Sequence, residues 1–492
     1  MLSITSTKKN ILANILLQIT TAISGFVLPP LLIVHYDSSM NGMISSIKQF
    51  IAYLSLVEAG VGISSIAALY EPIAAGNIKR RNSVLSATRN FYNISGILFL
   101  ILLIICSIAY SFVVRSEYKL YIPFLLFLII GTSGLADFFF IGKYRVLLFA
   151  TKRNYVISIV QTIGILLNTT ISVFLIKREC NIILVQVFSY GLYILRFIII
   201  KIYVRVFFSD LSLNEEPEKI ALKQRWDALY LQLSSLIVFN SPIIILTLMC
   251  SLRDVSVYAI FAMIFTAVDN LVSIMSNGLS ANFGELYYRD KKELQKYFRK
   301  YETLFFLFVG WCYSCAFLLS KDFISIYTLS FTDANYKHFE YIPLFVFIGV
   351  MNKIRVPGGM LIEAAGKFKE TRNRGILEAI INLCGSIIFT YFYGPIGVLL
   401  GGCLSYCYRT VDVIIYSNKK ILGASFIITI GKILLIIMIY IVICVSLMFI
   451  KNTIIQLNIN SYKIWFMEAC SVGIVLSFPI ILYFTKKKIC KN

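Results

Sequence analysis

The sequence predicts an all-α polytopic membrane protein with about fourteen transmembrane helices, and three observations support this fold class. Of the 492 residues, 58% are hydrophobic and only 14% are charged, whereas soluble domains carry roughly 25% charged residues. Apolar runs recur along nearly the whole chain, and a helix needs about twenty such residues to cross a bilayer. The third observation is an internal repeat, which divides the helices into two similar groups.

The apolar runs place the helices in order along the chain. The first run, Ile11 to Val34, is long enough to span, and no small-residue cleavage site follows it, so we expect a helix and no cleaved signal peptide. We expect transmembrane helices at roughly 11–35, 43–70, 90–114, 121–143, 155–176, 182–204, 227–251, 255–283, 303–320, 342–365, 375–393, 396–417, 424–450 and 463–484.

Basic residues are distributed unevenly between the loops. If the N-terminus is cytoplasmic, 31 of the 46 Lys and Arg residues fall in or beside cytoplasmic segments and only 9 in the opposite loops. This pattern is the positive-inside signature of membrane topology, with both termini in the cytoplasm. It accounts for the net charge of +21 and leaves no reason to expect a nucleic-acid partner.

Two parts of the chain resemble one another at a spacing of about 215 residues. The matching positions are Ala150–Asn154 and Ala365–Asn373, Asn168 and Asn382, Ser189-Tyr190 and Ser405-Tyr406, and Arg196 and Arg409. The repeat predicts a six-helix lobe over 1–210 and a second over 211–420. Residues 421–492 then hold two additional transmembrane helices and a basic cytoplasmic tail.

Prolines and glycines interrupt corresponding helices of the two predicted lobes. Interruptions at matching positions of two repeats are typical of the moving parts of transporters, although they also occur as plain kinks. We predict hinges at Pro29, Pro30, Pro242, Pro357, Gly358 and Gly359.

Basic residues inside the predicted helices need an explanation, because a charge at mid-membrane costs roughly 2.5–3.5 kcal/mol. Lys48 either reaches the headgroups or faces a cavity, and Lys353 and Arg355 lie too deep to reach the headgroups easily. Arg409 has Asp412 three residues further on the same helical face and either pairs with it or binds substrate. The predicted substrate-binding cations are Lys48, Lys353, Arg355, Arg196 and Arg409.

Acidic residues inside the helices are candidates for coupling transport to an ion gradient. A carboxylate beside apolar walls can bind and release H+ or Na+ as its surroundings change. Asp269, in the middle of the eighth predicted helix, is the first candidate, followed by Glu58 and Asp137. Hydrogen bonding to nearby Ser and Asn side chains is the alternative role.

The sequence contains no phosphate-binding loop of the G-x-x-x-x-G-K-[ST] type, and only two histidines, His35 and His338. We therefore expect no ATPase, no metal centre and no cofactor. We expect the energy for transport to come from an ion gradient, the membrane potential or consumption of the substrate.

The stretch from Phe26 to Tyr92 resembles the opening of the polysaccharide-unit (O-antigen, Wzx-type) flippases, a family of the multidrug/oligosaccharidyl-lipid/polysaccharide exporter superfamily. The similar features are the run Leu28 to Leu32, the helix end Leu54 to Gly62 and the basic loop Gly76 to Arg81. Many relatives carry an arginine and a glycine where this chain has His35, Tyr36 and Asp37.

The resemblance implies a V-shaped pair of six-helix lobes around a cationic cavity that works by alternating access. It implies that the protein is a flippase and not an enzyme. The implied cargo is an undecaprenyl-diphosphate-linked oligosaccharide, carried across the bacterial cytoplasmic (inner) membrane for lipopolysaccharide or capsule synthesis. Membrane lipids and other polysaccharide-assembly membrane proteins are the expected partners. A multidrug extruder of the same superfamily is the main alternative, and an integral-membrane polysaccharide polymerase is a more distant one.

Overall fold

A computed structural model describes residues 2–58, 61–218, 225–276, 289–455 and 461–489, together with Phe283, Leu286 and Tyr287. Within these residues the chain is helical and contains no β-strand. The helices are α1 Leu2–Tyr36, α2 Ser38–Leu54, α3 Val61–Ala74, α4 Ile78–Val113, α5 Tyr121–Ala136, α6 Gly142–Ala150, α7 Asn154–Lys177, α8 Ile182–Phe207, α9 Arg225–Met249, α10 Leu252–Ser276, α11 Lys291–Tyr327, α12 Tyr341–Ile354, α13 Val356–Ala364, α14 Phe368–Tyr393, α15 Gly397–Tyr416, α16 Phe426–Ile450, α17 Tyr462–Leu476 and α18 Phe478–Ile489.

The described helices confirm the predicted fold class. Four transmembrane segments consist of two helices each, α2–α3, α5–α6, α12–α13 and α17–α18, so the described elements make fourteen segments. By length and composition alone, 11 stretches are apolar enough to cross a membrane, and one of them, Glu370–Leu422, holds two helices. The remaining segments are the interrupted α2–α3 and the shorter apolar part of α9, Leu236–Met249. The chain is a multi-pass membrane protein.

Contacts between α-carbons divide the chain into two compact units, Met1–Ser256 (unit 1) and Val257–Asn492 (unit 2). Unit 1 has a continuous apolar core under its helices, to which α4, α5 and α8 contribute Phe99, Phe127 and Val185. Outward-facing positions are also apolar, as in Ile94 at 66% exposure, because lipid instead of water covers this surface. The predicted lobe boundaries at residues 210 and 420 stay a prediction.

The repeat seen in the sequence has a counterpart in backbone geometry. Helix α6 ends in a left-handed residue, Lys152 at φ 59°, and α13 ends in the same way at Gly366, φ 65°. The following helix pairs are also joined by left-handed residues, Glu179 at φ 55° and Gly394 at φ 66°. In both pairs an asparagine joins the two helices, since Asn168 donates to the Ser189 carbonyl at 3.1 Å and Asn382 to Ser405 Oγ at 3.0 Å.

The predicted hinge residues lie in two kinds of surroundings. Pro29 and Pro30 are inside the continuous helix α1, and Pro242 is inside the continuous helix α9. Pro357, by contrast, is the second residue of α13, directly after the interruption at Arg355 that separates it from α12. A role for any of these residues in motion stays a prediction.

A strained residue joins the first two segments. Asp37 has φ 112° and ψ 168°, a conformation that glycine adopts far more readily. Its carboxylate accepts hydrogen bonds from the Met40 amide at 2.6 Å and from the Tyr118 hydroxyl at 2.7 Å. These bonds cap α2 and hold Asp37 in this strained conformation.

Candidate substrate and ion-coupling sites

Unit 2 contains a half-buried acid, Asp269, between a cation and a phenol. Asp269 on α10 accepts a hydrogen bond from the Tyr313 hydroxyl of α11. Its Oδ2 lies 3.2 Å from Lys353 Nζ and 3.3 Å from Asn352 Nδ2, both on the last turn of α12. Lys353 also donates to Ser273 Oγ at 3.0 Å, and only 8% of its side chain is exposed.

Alternating basic and acidic residues extend this network to α14 and α15. Arg355 donates to Asn352 Oδ1 at 3.0 Å and pairs with Glu378 of α14. Glu378 Oε2 in turn lies 3.5 Å from Arg409 Nε of α15, and Arg409 pairs with Asp412 at 2.6 Å. Asp412 is shared with Arg374, which completes the sequence of ion pairs from α10 to α15. We call the residues Asp269, Asn352, Lys353, Arg355, Glu378, Arg409, Asp412 and Arg374 the unit 2 network.

The local sequence explains how α12 presents two basic residues to this network. Proline cannot donate a backbone hydrogen bond, so Pro357 is favoured in the first turn of a helix and disrupts a continuing one. The regular helix α12 accordingly ends at Ile354, and α13 begins at Val356. Glycine is needed at 349, where an added Cβ would lie 2.1 Å from the Tyr313 ring. The interruption thus brings Lys353 and Arg355 to neighbouring acids, and Gly349 lets Tyr313 approach.

An apolar cavity of about 480 Å³ lies beside the network in unit 2. Helices α11, α12 and α16 line it, with residues such as Phe306, Phe347 and Ile437. Tyr313 belongs to both regions, because its ring lines the cavity while its hydroxyl binds Asp269. The first of the two predicted additional helices, α16, therefore helps to form an apolar surface next to buried charges.

Unit 1 contains a smaller cluster that joins two helix interruptions. Arg145 of α6 lies 2.9 Å from Glu58 and 3.1 Å from Asp137. Glu58 ends a short 3-10 turn, Ser55–Glu58, after α2, and Asp137 begins a π-helical turn, Asp137–Ile141, after α5. One guanidinium thus ties both irregular turns together. We call Glu58, Asp137 and Arg145 the unit 1 cluster.

The glycine after the π-helical turn is required by an aromatic neighbour. A Cβ at Gly142 would lie 2.4 Å from the ring of Tyr92, which is 1% exposed and lies against the unit 1 cluster. Glu58 Oε2 is buried and has no hydrogen-bond partner among the described residues. A role of Glu58 in ion coupling stays a prediction.

The remaining predicted cations of unit 1 have no ion pair within the described part of the chain. Lys48 is exposed on α2, although Ile44 and Ile51, four residues before it and three after it on the same helical face, are buried. The guanidinium of Arg196 lies over the Tyr193 ring at 4.3 Å, and its buried Nε has no hydrogen-bond partner among the residues that the structure describes. Their predicted contact with substrate is not tested by these positions.

Several participants were not predicted from the sequence, among them Arg145, Arg374 and Tyr313. Arg145 and Arg374 were assigned to cytoplasmic loops, but α6 continues to Ala150 and α14 begins at Phe368, so both arginines reach the acids. Tyr313 carries no charge and gave no signal. The intramembrane acids were themselves a usable signal, since buried carboxylates need countercharges from neighbouring helices.

Comparison with known proteins identifies the fold. No protein-family model matches the chain, and no curated sequence matches it significantly. It is similar to an inward-facing multidrug resistance MATE family transporter of the MOP superfamily, with 14% identity, a TM-score of 0.65 and coverage of 82% of this chain and 94% of that one. An outward-facing MATE structure gives a TM-score of 0.56 at 14% identity, over 84% of this chain and 96% of that one.

The lipid II flippase MurJ, in an inward closed conformation, is similar over a larger part of the chain. The TM-score is 0.65 at 14% identity, with coverage of 96% of this chain and 100% of MurJ. The molecule is thus a multi-pass membrane protein with the fold that MATE transporters and MurJ share. The sequence resemblance to this superfamily is supported at the level of the fold.

Proposed function

We propose that this protein is a flippase that moves an undecaprenyl-diphosphate-linked oligosaccharide, an O-antigen or capsule repeat unit, from the cytoplasmic to the periplasmic leaflet of a bacterial inner membrane. The proposal rests on the position of Tyr313, whose ring lines the apolar cavity and whose hydroxyl donates a hydrogen bond to Asp269 of the unit 2 network. A polyprenyl diphosphate requires both kinds of surface at once, because its chain is apolar and its headgroup is a multivalent anion.

The charge balance of the unit 2 network favours an anionic headgroup. Its cations are Lys353, Arg355, Arg409 and Arg374, and its acids are Asp269, Glu378 and Asp412, which leaves one formal positive charge. At an effective dielectric constant of about 20, two unit charges 4 Å apart attract by about 4 kcal/mol. A diphosphate can therefore compete for cations that carboxylates hold in this conformation.

Competition for the same cations supplies a mechanism of ion coupling. While Asp269 is ionised it holds Lys353, and protonation of Asp269 weakens that pair and frees the ammonium group for the headgroup. Release of the proton restores the pair and expels the anion. We propose that alternating access exposes these two states on opposite sides of the membrane, with Glu58 and Asp137 of the unit 1 cluster as further proton or sodium sites.

Similarity to MurJ over 96% of the chain supports the flippase function, although it concerns the fold alone. Multidrug extrusion is the second candidate, and the MATE structures support it in the same way. A cationic drug needs an available carboxylate. Glu58, Asp137, Asp269 and Glu378 are each already paired with a cation, which favours the anionic cargo.

The test is to determine which leaflet holds the lipid-linked oligosaccharide in a host that lacks this protein. We expect complete single repeat units to accumulate on the cytoplasmic side, and wild-type protein to restore their export. The variants Lys353→Met and Arg355→Met should restore export at least tenfold less well than the wild-type protein does. Lys432→Met is the matched control, because Lys432 is also an ion-paired intramembrane lysine of unit 2, 3.3 Å from Glu302, but lies outside the network.

Other outcomes of this experiment exclude the proposal. Single units that already face the periplasm and remain unpolymerised would indicate a polymerase. Normal export in the deleted host, together with higher ethidium accumulation that the wild-type protein reverses, would indicate a drug extruder.

A further inference from the structure

Three basic side chains of unit 1 come together from three transmembrane segments without a nearby acid. They are Arg89 on α4, Lys143 on α6 and Lys201 on α8. Helix α6 contacts both α4 and α8, and Lys143 is close enough to the other two cations to be repelled by them. Within the described residues none of the three forms an ion pair. Acids are present in this part of unit 1, but they pair with another cation: Arg145, two residues after Lys143, binds two carboxylates.

The hydrogen-bonding groups of these cations are only partly used. Among the described residues, Arg89 Nε is buried without a hydrogen-bond partner, and Arg89 Nη2 donates only to Asn90 Oδ1, at 3.4 Å. Lys143 Nζ donates to the Phe139 carbonyl at 3.1 Å, which leaves further donors of the ammonium group available. Clustered cations repel one another, and an anion that binds all three would relieve that repulsion and accept the unused donors.

The surface next to the cations is apolar and exposed. Phe140 packs against Phe197 with ring centroids 4.8 Å apart, and Lys201 Nζ lies 5.5 Å from the Phe197 ring centroid. Ile194 and Ile198 are 64% and 44% exposed, and they share a face of α8 with Lys201 because of their helical spacing. In a membrane protein such a face contacts acyl chains.

The three cations also lie at the depth of phospholipid headgroups. Arg89 is eleven residues after the start of α4, Lys143 is seven before the end of α6, and Lys201 is six before the end of α8. At 1.5 Å per residue these positions are roughly 9–16 Å from helix ends that adjoin basic loops, on the side predicted to be cytoplasmic. Helix α4 has 36 residues and so extends well beyond a hydrocarbon core of about 30 Å.

We propose that Arg89, Lys143 and Lys201 bind the phosphate groups of an anionic phospholipid, whose acyl chains lie against Phe140, Ile194 and Ile198. The site shares no residue with the unit 1 cluster or the unit 2 network, so it does not depend on the proposed transport function. Three cations suit a lipid with two phosphates better than one with a single phosphate. Cardiolipin is therefore the probe of choice.

The test is native mass spectrometry of the full-length protein titrated with cardiolipin and, separately, with zwitterionic phosphatidylethanolamine. We expect a preference for cardiolipin, and a loss of about thirtyfold in its affinity in Lys143→Gln/Lys201→Gln, since each lysine contributes about fivefold. The matched control is Lys79→Gln/Lys152→Gln, which removes two exposed lysines, one in the first turn of α4 and one just after α6, and should change affinity less than threefold. Lys143→Arg/Lys201→Arg keeps both positive charges and should retain the preference for cardiolipin. That result would show that positive charge at these positions is sufficient for cardiolipin binding.

Three results would overturn the proposal. Equal losses in the site and control variants would indicate non-specific charge attraction. Equal binding of the two lipids would exclude a phosphate site for anionic phospholipids. Displacement of cardiolipin by farnesyl diphosphate at equimolar concentration, with no displacement by phosphatidylglycerol, would assign the site to the polyprenyl diphosphate cargo instead.

Discussion

The ionic groups of the two units differ in size and in the sign of their surplus charge. The unit 1 cluster has two carboxylates for one guanidinium, whereas the unit 2 network has four cations for three carboxylates. A surplus of acid suits binding of a proton or metal cation, and a surplus of base suits binding of an anion. Under the proposed function we therefore expect the headgroup to bind in the unit 2 network, where Asp269 couples it to a proton, and the unit 1 cluster to be a further cation site.

The two groups also differ in redundancy. Arg145 is the sole partner of both Glu58 and Asp137 among the described ion pairs, while Glu378 and Asp412 each have two cationic partners. Loss of a single cation therefore has different consequences in the two units. The predictions below test these differences, beginning with the largest expected effect.

The largest effect is expected from Arg145→Gln. It leaves two carboxylates without a countercharge in a partly buried position, and removal of one partner from such a group costs about 3 kcal/mol of unfolding free energy. Arg355→Gln in unit 2 should cost about 1 kcal/mol, because Glu378 keeps Arg409. Unfolding of the purified protein in mixed micelles measures both values.

The control for Arg145 is the triple variant Arg145→Gln/Glu58→Gln/Asp137→Asn. It removes the unpaired acids together with the cation and should recover most of the lost stability. A triple variant as unstable as Arg145→Gln would mean that the arginine acts through packing, and the proposed role of the cluster as an ion site would lose its support.

The next largest loss of stability is expected at one of two arginines that occupy equivalent positions of the repeat. Arg409 pairs with both Glu378 and Asp412, whereas Arg196 stacks on Tyr193 and has no ion pair among the described residues. We expect Arg409→Ala to lower the unfolding free energy by about 2 kcal/mol and Arg196→Ala by less than 1 kcal/mol. Equal losses would show that the repeat, and not the ion pairs, determines the role of these residues.

The fold and some of the site could be predicted from the sequence because they depend on local patterns. Apolar runs located the fourteen segments, and the spacing of Asn168 and Asn382 located two equivalent helix pairs. The pairing of Arg409 with Asp412 follows from their separation by three residues on a helix. All of these features lie within one helix or between adjacent helices.

Other features depend on contacts between distant segments and could not be predicted. Arg145 reaches Glu58 only because α6 continues past the predicted end of the fourth helix at residue 143. Tyr313 bonds to Asp269 across 44 positions of sequence, and a tyrosine in an apolar run gives no sign of such a partner. Asp37 adopts a glycine-like conformation that depends on Tyr118, 81 positions away.

Substitutions at Asp269 and at Glu58 should change the affinity for farnesyl diphosphate, a short analogue of the lipid carrier, to different extents. Asp269→Asn removes the acid that competes for Lys353, so we expect affinity to rise about fivefold, equivalent to about 1 kcal/mol. Glu58→Gln should change affinity less than twofold, because the unit 1 cluster has no surplus cation. Calorimetry in buffers of different ionisation enthalpy measures affinity and proton uptake together.

Proton uptake distinguishes coupling from simple attraction. The wild-type protein should take up protons on binding, and Asp269→Asn should take up fewer. If Asp269→Asn binds more weakly than the wild type, the carboxylate supports the headgroup site and does not compete with the ligand. The exchange mechanism would then be wrong even if the protein is a flippase.

The smallest effect concerns the left-handed turns of the repeat. Lys152 and Gly366 occupy the same place after α6 and α13, at φ 59° and 65°. A side chain costs roughly 1–2 kcal/mol in this conformation, while glycine adds entropy to the unfolded chain. Lys152→Gly should therefore stabilise unit 1 by about 0.5 kcal/mol, measured as unfolding free energy.

The reciprocal exchange is the control for this turn. Gly366→Lys should destabilise unit 2 by a similar amount, because no neighbouring atom lies within 4 Å of an added Cβ and only backbone strain opposes the side chain. Lys152→Ala removes the charge but keeps a Cβ, so it should give no stabilisation. If Lys152→Ala stabilises as much as Lys152→Gly, the gain comes from removal of positive charge near Arg153, and the backbone equivalence of the two turns has no energetic consequence.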